Sequence, residues 1–507
     1  MDLLFATAEA RQEWAQRCGR DDGLGRDMNL GVVTQRIATG FEGFPCEVLQ
    51  TTNRCAHTSR MRAEILRWVM DDAAEREALE GVVAMIRRMV QNRAAQPQDP
   101  RMVAMSGVLA LAERIACTEA LATAVAGSRV AALRAWSDQL QALLAQPEQQ
   151  AVKRQVLDLL ARFRTVEQVS VLIGTAEPFM LLEETPSAEQ DDPLAELMDI
   201  TQALLGLRPK GEAVVFDPVP VTPIETWMLD GLEVRDPTLF AALYRAAEGK
   251  WVVREMQLVE WARQWAFYLG MAKFYQQAMA EGLAFCFPRD QPNIALRGVY
   301  DLSLALRNAG AVVANDIDLT AQRGFVLTGA NQGGKTTFLR SLGLSVMLAG
   351  QGMMIPAASG GMPFFAGVTG LFAGAAATQG GDRLAEETAR VAEVLGGLPG
   401  GSFVMMNELF TSTRRVDAMA LYRKTLTDCM DRGIFFACVT HLYEMGADAD
   451  LRAAGPFVSL VAQVQGQDND RTYLIKPSQP GELAFAADIA EACGVTHAAL
   501  MALWQEG

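Results

Sequence analysis

Gly329-Ala-Asn-Gln-Gly-Gly-Lys-Thr336 is the stretch from which the fold can be read. It fits the P-loop pattern G-x-x-x-x-G-K-[ST], follows the apolar run Phe325-Val-Leu327 and opens a helical stretch from Thr337 to Leu348. Glycine lets successive backbone N–H groups turn towards an anion, and the helix N-terminus adds positive potential. In such a loop Lys335 is expected to reach the β- and γ-phosphates of ATP and Thr336 to ligate Mg²⁺. The cofactors expected are therefore ATP and Mg²⁺, with Gly329, Asn331, Gly333, Gly334, Lys335, Thr336 and Thr337 around the nucleotide.

Two further motifs follow in the chain. Phe403-Val-Met-Met-Asn-Glu408 is an apolar strand ending in polar residues, as a Walker B element requires, because a metal-facing group must stand at the strand's carboxyl end. Asn407 is the candidate metal-facing residue, and its amide lacks a carboxylate's charge. Glu408 is placed to orient or deprotonate the attacking water. Phe435-Phe-Ala-Cys-Val-Thr-His441 is a third buried strand. His441 at its end is either a polar strand terminus or, in company with the other motifs, a γ-phosphate sensor.

Around these motifs, the runs Gly324–Thr328, Ser402–Met406 and Gly433–Thr440 alternate with helical segments, which predicts a mostly parallel α/β sheet. Before about residue 180 the pattern is helical, as in Met61–Met70, Ala84–Val90, Met102–Ala126 and Val130–Leu144. Breaks are expected at Pro97 and Pro100 and at Gly127-Ser128. Glu183 to Pro193 is acidic and poor in apolar side chains, as in a linker. Ala213–Asp217 reads as a short strand and Val253–Gly282 as one long helix. The expected division is a helical core over 1–185, a linker with lever helices over 186–284, and the nucleotide domain over 285–507.

The 507 residues carry a net charge of −15, with 50% hydrophobic and 21% charged content, so this is a globular chain without a basic coat. Any nucleic-acid contact must be local, since phosphate neutralisation supplies most non-specific affinity. Eight cysteines without a C-x-x-C pair signal neither a disulfide framework nor a zinc site. Met1-Asp-Leu-Leu-Phe-Ala lacks the pattern of a secretory signal, and a cytoplasmic location is expected. Ser341 to Gly381 contains no charge, but Gly, Pro, Ser and Gln interrupt each candidate membrane span, so a helix and buried strands are expected there.

Thr328 to Arg340 resembles the MutS form of the Walker A motif in Asn331, the doubled glycine and Thr337. The resemblance runs over about 285–490, through Gly352, Pro356-Ala357, Gly370-Leu-Phe, Val394-Leu395, Asn407-Glu408, Asp417 and Thr440-His441. It continues to Tyr473–Pro477 and the predicted helix at Ala486-Ala-Asp-Ile-Ala. Asp27-Met-Asn-Leu30 and the stretch from Leu258 to Tyr275 are similar to that family's helical core and lever. The likeness implies an ABC-type P-loop NTPase domain behind a mostly α-helical core and lever domain. It also implies C-terminal dimerisation helices, a homodimer and DNA as partner.

Three departures refine that expectation. Asn407 stands where the family usually has Asp. Asp382 falls where a Ser from the partner subunit would reach the γ-phosphate, with Arg383 beside it as a substitute contact and Glu387 matching the acidic position nearby. No mismatch-reading domain is matched before Asp27, Glu42 directly follows Phe41, and no basic nuclease tail follows Gly494. The resemblance, so refined, implies an ATPase of slow turnover, a nucleotide-gated dimeric switch or clamp in DNA repair or recombination, without direct mismatch reading and with a possible protein partner. The alternative is a nucleotide-gated protein-interaction module that hydrolyses weakly or not at all and binds no DNA.

Overall fold

A computed structural model of the chain describes residues 2–19, 23–91, 99–164, 166–172, 179–184, 223–372, 383–465 and 470–478. It shows a mostly helical region followed by a mixed α/β region. The chain divides into two compact units, one made of Met1–Leu3 with Arg67–Leu269 and the other of Leu4–Leu66 with Gly270–Gly507. The expected boundary at 185 falls outside the described residues. The expected strand at Ala213–Asp217, the linker beyond Glu184, Asp382 and the predicted C-terminal dimerisation helices lie outside the described residues.

In the first unit the helical periodicity is realised as Ala73–Gln91, Pro100–Ala126, Ala131–Leu144 and Pro147–Arg164. Asp99 caps the second of these by accepting the Arg101 N–H, with Pro100 at the first helical position. The same Asp-Pro device recurs at Asp236-Pro237, where Asp236 accepts from Leu239. A proline costs nothing there, because its missing N–H would have been unpaired in any helix. Trp136 and Trp265 are fully buried, and Trp136 meets Trp261 edge-on at 5.3 Å. The helical reading up to residue 180 needs one correction: β1 (Val166–Leu172) and β2 (Phe179–Glu184) form an antiparallel hairpin. Valines at 166, 169 and 171 favour extended backbone, since branching at Cβ costs rotamer freedom in a helix.

The second unit holds two sheets. The smaller contains β3 (Arg289–Asp290), β4 (Ala295–Val299), β5 (Asn315–Asp318) and β7 (Ser359–Met362), in the order β3-β7-β4-β5. The larger contains β6 (Gly324–Thr328), β8 (Val368–Phe372), β9 (Phe403–Asn407), β10 (Phe435–Val439), β11 (Val458–Gln465) and β12 (Asp470–Pro477). Their order is β12-β11-β6-β10-β9-β8, parallel except for the β11–β12 hairpin. β6 and β10 are buried along their whole length, as parallel strands covered on both faces must be. Val326, Val404, Met406, Phe436 and Cys438 meet Val391 and Leu395 of the helix Arg383–Gly396 and Tyr422 and Leu426 of the helix Arg415–Asp431. The helix Lys335–Gly350 carries Phe338, 5.9 Å from Phe325.

Residues 4–66 pack on this second unit. The Arg340 guanidinium donates to the Asp27 carbonyl at 2.8 Å, and Asn29 Nδ2 donates to Ser303 Oγ at 3.4 Å. Ser59 Oγ donates to the Ala349 carbonyl at 3.0 Å. The uncharged stretch is, within its described part, the end of the Lys335–Gly350 helix followed by β7 and β8. Among the described residues no helix is long and apolar enough to cross a membrane.

Gly352, at φ +79°, lets the chain turn under the helix Ala56–Asp71; a Cβ there would stand 2.2 Å from the Ser59 carbonyl oxygen. Gly352→Ala is therefore expected to lower the urea midpoint of this unit by the equivalent of about 2 kcal/mol or more. Gly350→Ala, with no heavy atom within 4 Å of its new Cβ, is expected to leave the midpoint unchanged or raise it. Equal midpoints for the two variants would contradict this account of the turn.

Candidate functional site

The carboxyl ends of the parallel strands stand level. Val439 is in register with both Leu327 and Asn407, and Asn407 with Phe372. One edge of the sheet therefore collects the glycine loop after β6, Asn407 and Glu408 after β9, and Thr440 and His441 after β10. Ligands of open α/β sheets bind at this edge.

The glycine loop is closed by backbone that only glycine adopts easily. Gly329 has φ +121° and Gly334 has φ +88°, the latter capping the helix Lys335–Gly350. A Cβ on Gly329 would lie 3.0 Å from Ala462 Cβ, and one on Gly333 would lie 3.0 Å from the Ala330 carbonyl oxygen. The loop is thus a cradle with its walls already in contact, and Asn331 and Gln332 form its exposed tip. Inside it, the buried Lys335 ammonium donates to the carbonyls of Gly329 at 3.0 Å and Ala330 at 2.9 Å. Burial lowers the Lys335 pKa below the usual lysine value, and the charge of Glu408 pulls the other way.

Thr336 Oγ1 donates to Asn407 Oδ1 at 3.2 Å, so the hydroxyl and the amide oxygen face each other beneath the loop. Glu408 leaves β9 in the left-handed region, at φ +52°, with its N–H on the Val439 carbonyl at 2.9 Å. A non-glycine residue there costs about 1–2 kcal/mol. Tight packing beyond it holds that geometry. Phe410 is buried at φ +56° against the Tyr422 ring, and Tyr422 Oη donates to the Leu409 carbonyl at 2.9 Å.

A cavity of about 550 Å³ opens beside the start of the loop helix, lined by Tyr300, Asp301, Asn308, Val313, Thr337 and Tyr473 among others. Its size suits a nucleoside. Sequence reasoning placed Thr337 at the nucleotide but missed its neighbours, because residues 300–315 and 473 carry no phosphate motif and only folding brings them to Gly334. Asn315 fixes one wall: its Nδ2 donates to the Tyr473 carbonyl at 3.1 Å, and its Oδ1 accepts the Ile475 N–H at 2.7 Å.

His441 is exposed and lies in a second, smaller pocket of about 230 Å³ with Phe410, Thr411, Thr413, Arg415 and Glu444. Among the described residues it makes no hydrogen bond to Lys335, Thr336 or Glu408. Arg383 begins the helix Arg383–Gly396, and its side chain lies outside the description. The cradle fits a polyphosphate. Thr336 and Asn407 offer two oxygen donors to a hard cation such as Mg²⁺, which usually keeps waters and substrate phosphates as its other ligands. Among the described residues no group of three or more His, Cys, Asp or Glu side chains gathers to hold a metal by itself.

A family model for MutS domain V matches residues 325–500, which takes in the loop and the strands just described. Residues 325–500 are thus similar to domain V of MutS proteins. The endonuclease MutS2 of Solidesulfovibrio magneticus is 32% identical over 143 residues, 27% of this chain and 18% of that protein. The DNA mismatch repair protein MutS of Shouchella clausii is 32% identical over 144 residues, 28% of this chain and 16% of that protein. The endonuclease MutS2 of an Anaeromyxobacter species is 31% identical over 195 residues, covering 36% and 23%. The chain thus aligns with less than a quarter of the length of each of these MutS relatives.

Replacing Lys335 separates its chemistry from its packing. Lys335→Met removes a buried charge while keeping the stem, so the ligand-free protein is expected to be as stable as wild type or more so. The folded state binds the Lys335 proton less tightly than the unfolded chain does. Stability at this site therefore rises with pH across the alkaline window between the lowered and the usual lysine pKa in wild type, and that increment is absent from Lys335→Met. Urea titrations at neutral and alkaline pH check both, and a variant less stable than wild type would contradict the burial argument.

Proposed function

We propose that this MutS-like chain binds ATP with Mg²⁺ in the Gly329–Thr336 P-loop and hydrolyses it slowly. In this reading binding and hydrolysis drive a dimeric, DNA-directed switch in repair or recombination. The observation that supports this best is the convergence at one sheet edge of the buried Lys335, the Thr336–Asn407 pair and Glu408, with a nucleoside-sized cavity adjoining. The base and ribose occupy the cavity, and the phosphates run into the cradle. Lys335 exchanges its loop carbonyls for phosphate oxygens, a charge-assisted bond stronger than the neutral acceptors it leaves. Thr336 and Asn407 hold Mg²⁺, which neutralises phosphate charge when bound.

Glu408 orients the attacking water and takes its proton as the oxygen bonds to the γ-phosphorus, while the bond to the β-phosphate oxygen breaks to leave ADP and phosphate. His441 is assigned as a sensor of the terminal phosphate from the pocket alongside, and Arg383 as a contact completing the site. The homodimer and the DNA partner are carried over from the resemblance, and the repair and endonuclease names of the relatives support the DNA partner.

The neutral amide at 407 makes the metal's hold weaker than a carboxylate would. Asn407→Asp is expected to lower the Mg²⁺ concentration needed for half-maximal hydrolysis, and Glu408→Gln to retain ATP while losing turnover about a hundredfold or more. A higher Mg²⁺ requirement in Asn407→Asp would overturn the metal assignment.

The net charge of −15 favours a second reading, a nucleotide-gated protein-interaction module that binds no DNA. Titrating homoduplex, mismatched, branched and single-stranded DNA at several salt concentrations, with and without ATP, separates the two. DNA direction predicts affinity for at least one of them that falls steeply with salt. No measurable binding to any would leave the protein-interaction reading.

A further inference from the structure

β11 and β12 approach the glycine loop from the side away from Asn407, and three of their residues meet it. Ala462 lies against Gly329 and Gly333, Tyr473 against Gly334, and Arg471 Nη1 donates to Gln332 Oε1 at 3.2 Å. The pairing of β11 with β12 is irregular between Ala462 and Val464, and within this bulge Tyr473 takes a φ of +57°. Bulges re-aim side chains, and a left-handed tyrosine persists only where its surroundings fix it. Here Asn315 does so, bonding the backbone of both Tyr473 and Ile475. The bulge gives the loop two different neighbours: an aromatic ring at Gly334, beside the nucleoside-sized cavity, and a guanidinium at the tip.

We propose that Arg471 is a nucleotide-binding residue that contacts the terminal phosphate of the bound triphosphate from within the same chain. This rests on the ATP reading of the site. The cavity adjoins Gly334 and Thr337, so a phosphate chain entering from it ends near the opposite, exposed side of the loop, where Gln332 holds Arg471. Gln332 sits there at φ +62°, a left-handed position for a residue with a Cβ. Arg471 is exposed, and among the described residues no carboxylate pairs with it, so its bond to a neutral amide is weak beside one to phosphate. A guanidinium also presents parallel N–H groups that match phosphate oxygens, which an ammonium does not.

The test measures equilibrium binding of a non-hydrolysable ATP analogue, ADP and AMP to the full chain, its Arg471→Ala and Arg471→Lys variants, and Gln332→Ala. Arg471→Ala is expected to weaken the ATP analogue about tenfold or more, ADP less and AMP not at all. Arg471→Lys is expected to fall between, and Gln332→Ala, which frees the guanidinium, to bind the analogue at least as well as wild type. Loss of the analogue and AMP in equal proportion, no loss in Arg471→Ala, or an equal loss in Gln332→Ala would each show the pair to be a structural strut and overturn the proposal alone. A wild-type chain that binds none of the three nucleotides would overturn the ATP reading, and this inference with it.

Discussion

Burying an ammonium group in a protein interior is costly unless acceptors surround it. The loop before the Lys335–Gly350 helix is built to supply them. The carbonyls of Gly329 and Ala330 can turn inward because Gly329 and Gly334 take φ values closed to other residues at low cost. Ala462 and the Tyr473 ring then leave those glycines no room for a side chain. The same turn points backbone N–H groups towards the place where phosphates would lie, so one constraint produces both the fold of the loop and its affinity for anions.

The rest of the second unit keeps that loop in place. β6 is held between β10 and β11, and the helix after the loop is tied from outside by Arg340 on the Asp27 carbonyl and Ser59 on the Ala349 carbonyl. Residues 4–66 are therefore part of the support of the nucleotide site. Behind β9, the left-handed Glu408 and Phe410 are held by Tyr422, whose hydroxyl and ring meet consecutive residues of the same turn. Strain at Glu408 is thus balanced by packing several residues away, an arrangement common where a catalytic group must be aimed.

Charge sets the limits of the chemistry. Thr336 and Asn407 bring oxygen donors but no negative charge, so in the proposed site the phosphates would contribute most of the attraction for Mg²⁺. Glu408 lies close enough for its charge to oppose the effect of burial on the Lys335 ammonium.

Local chemistry made much of this legible from the sequence. The eight-residue loop, the strands ending at Asn407 and Val439, and the helices Pro100–Ala126 and Ala131–Leu144 each follow from turn residues, caps and periodicity within a short window. The β1–β2 hairpin was not read, since short apolar runs do not distinguish strand from helix without knowledge of what covers them. Contacts between distant segments were beyond the sequence altogether. The docking of residues 4–66, the cavity joining Tyr300 to Tyr473, and Arg471 at the loop tip depend on sheet order and on one bulge. Where a phosphate could bind was legible in a short window of residues, because that depends on glycine backbone and one lysine. What stands around that place depends on the fold, because the pairing that sets β11 beside β6, with β12 on its far side, joins residues more than a hundred positions apart.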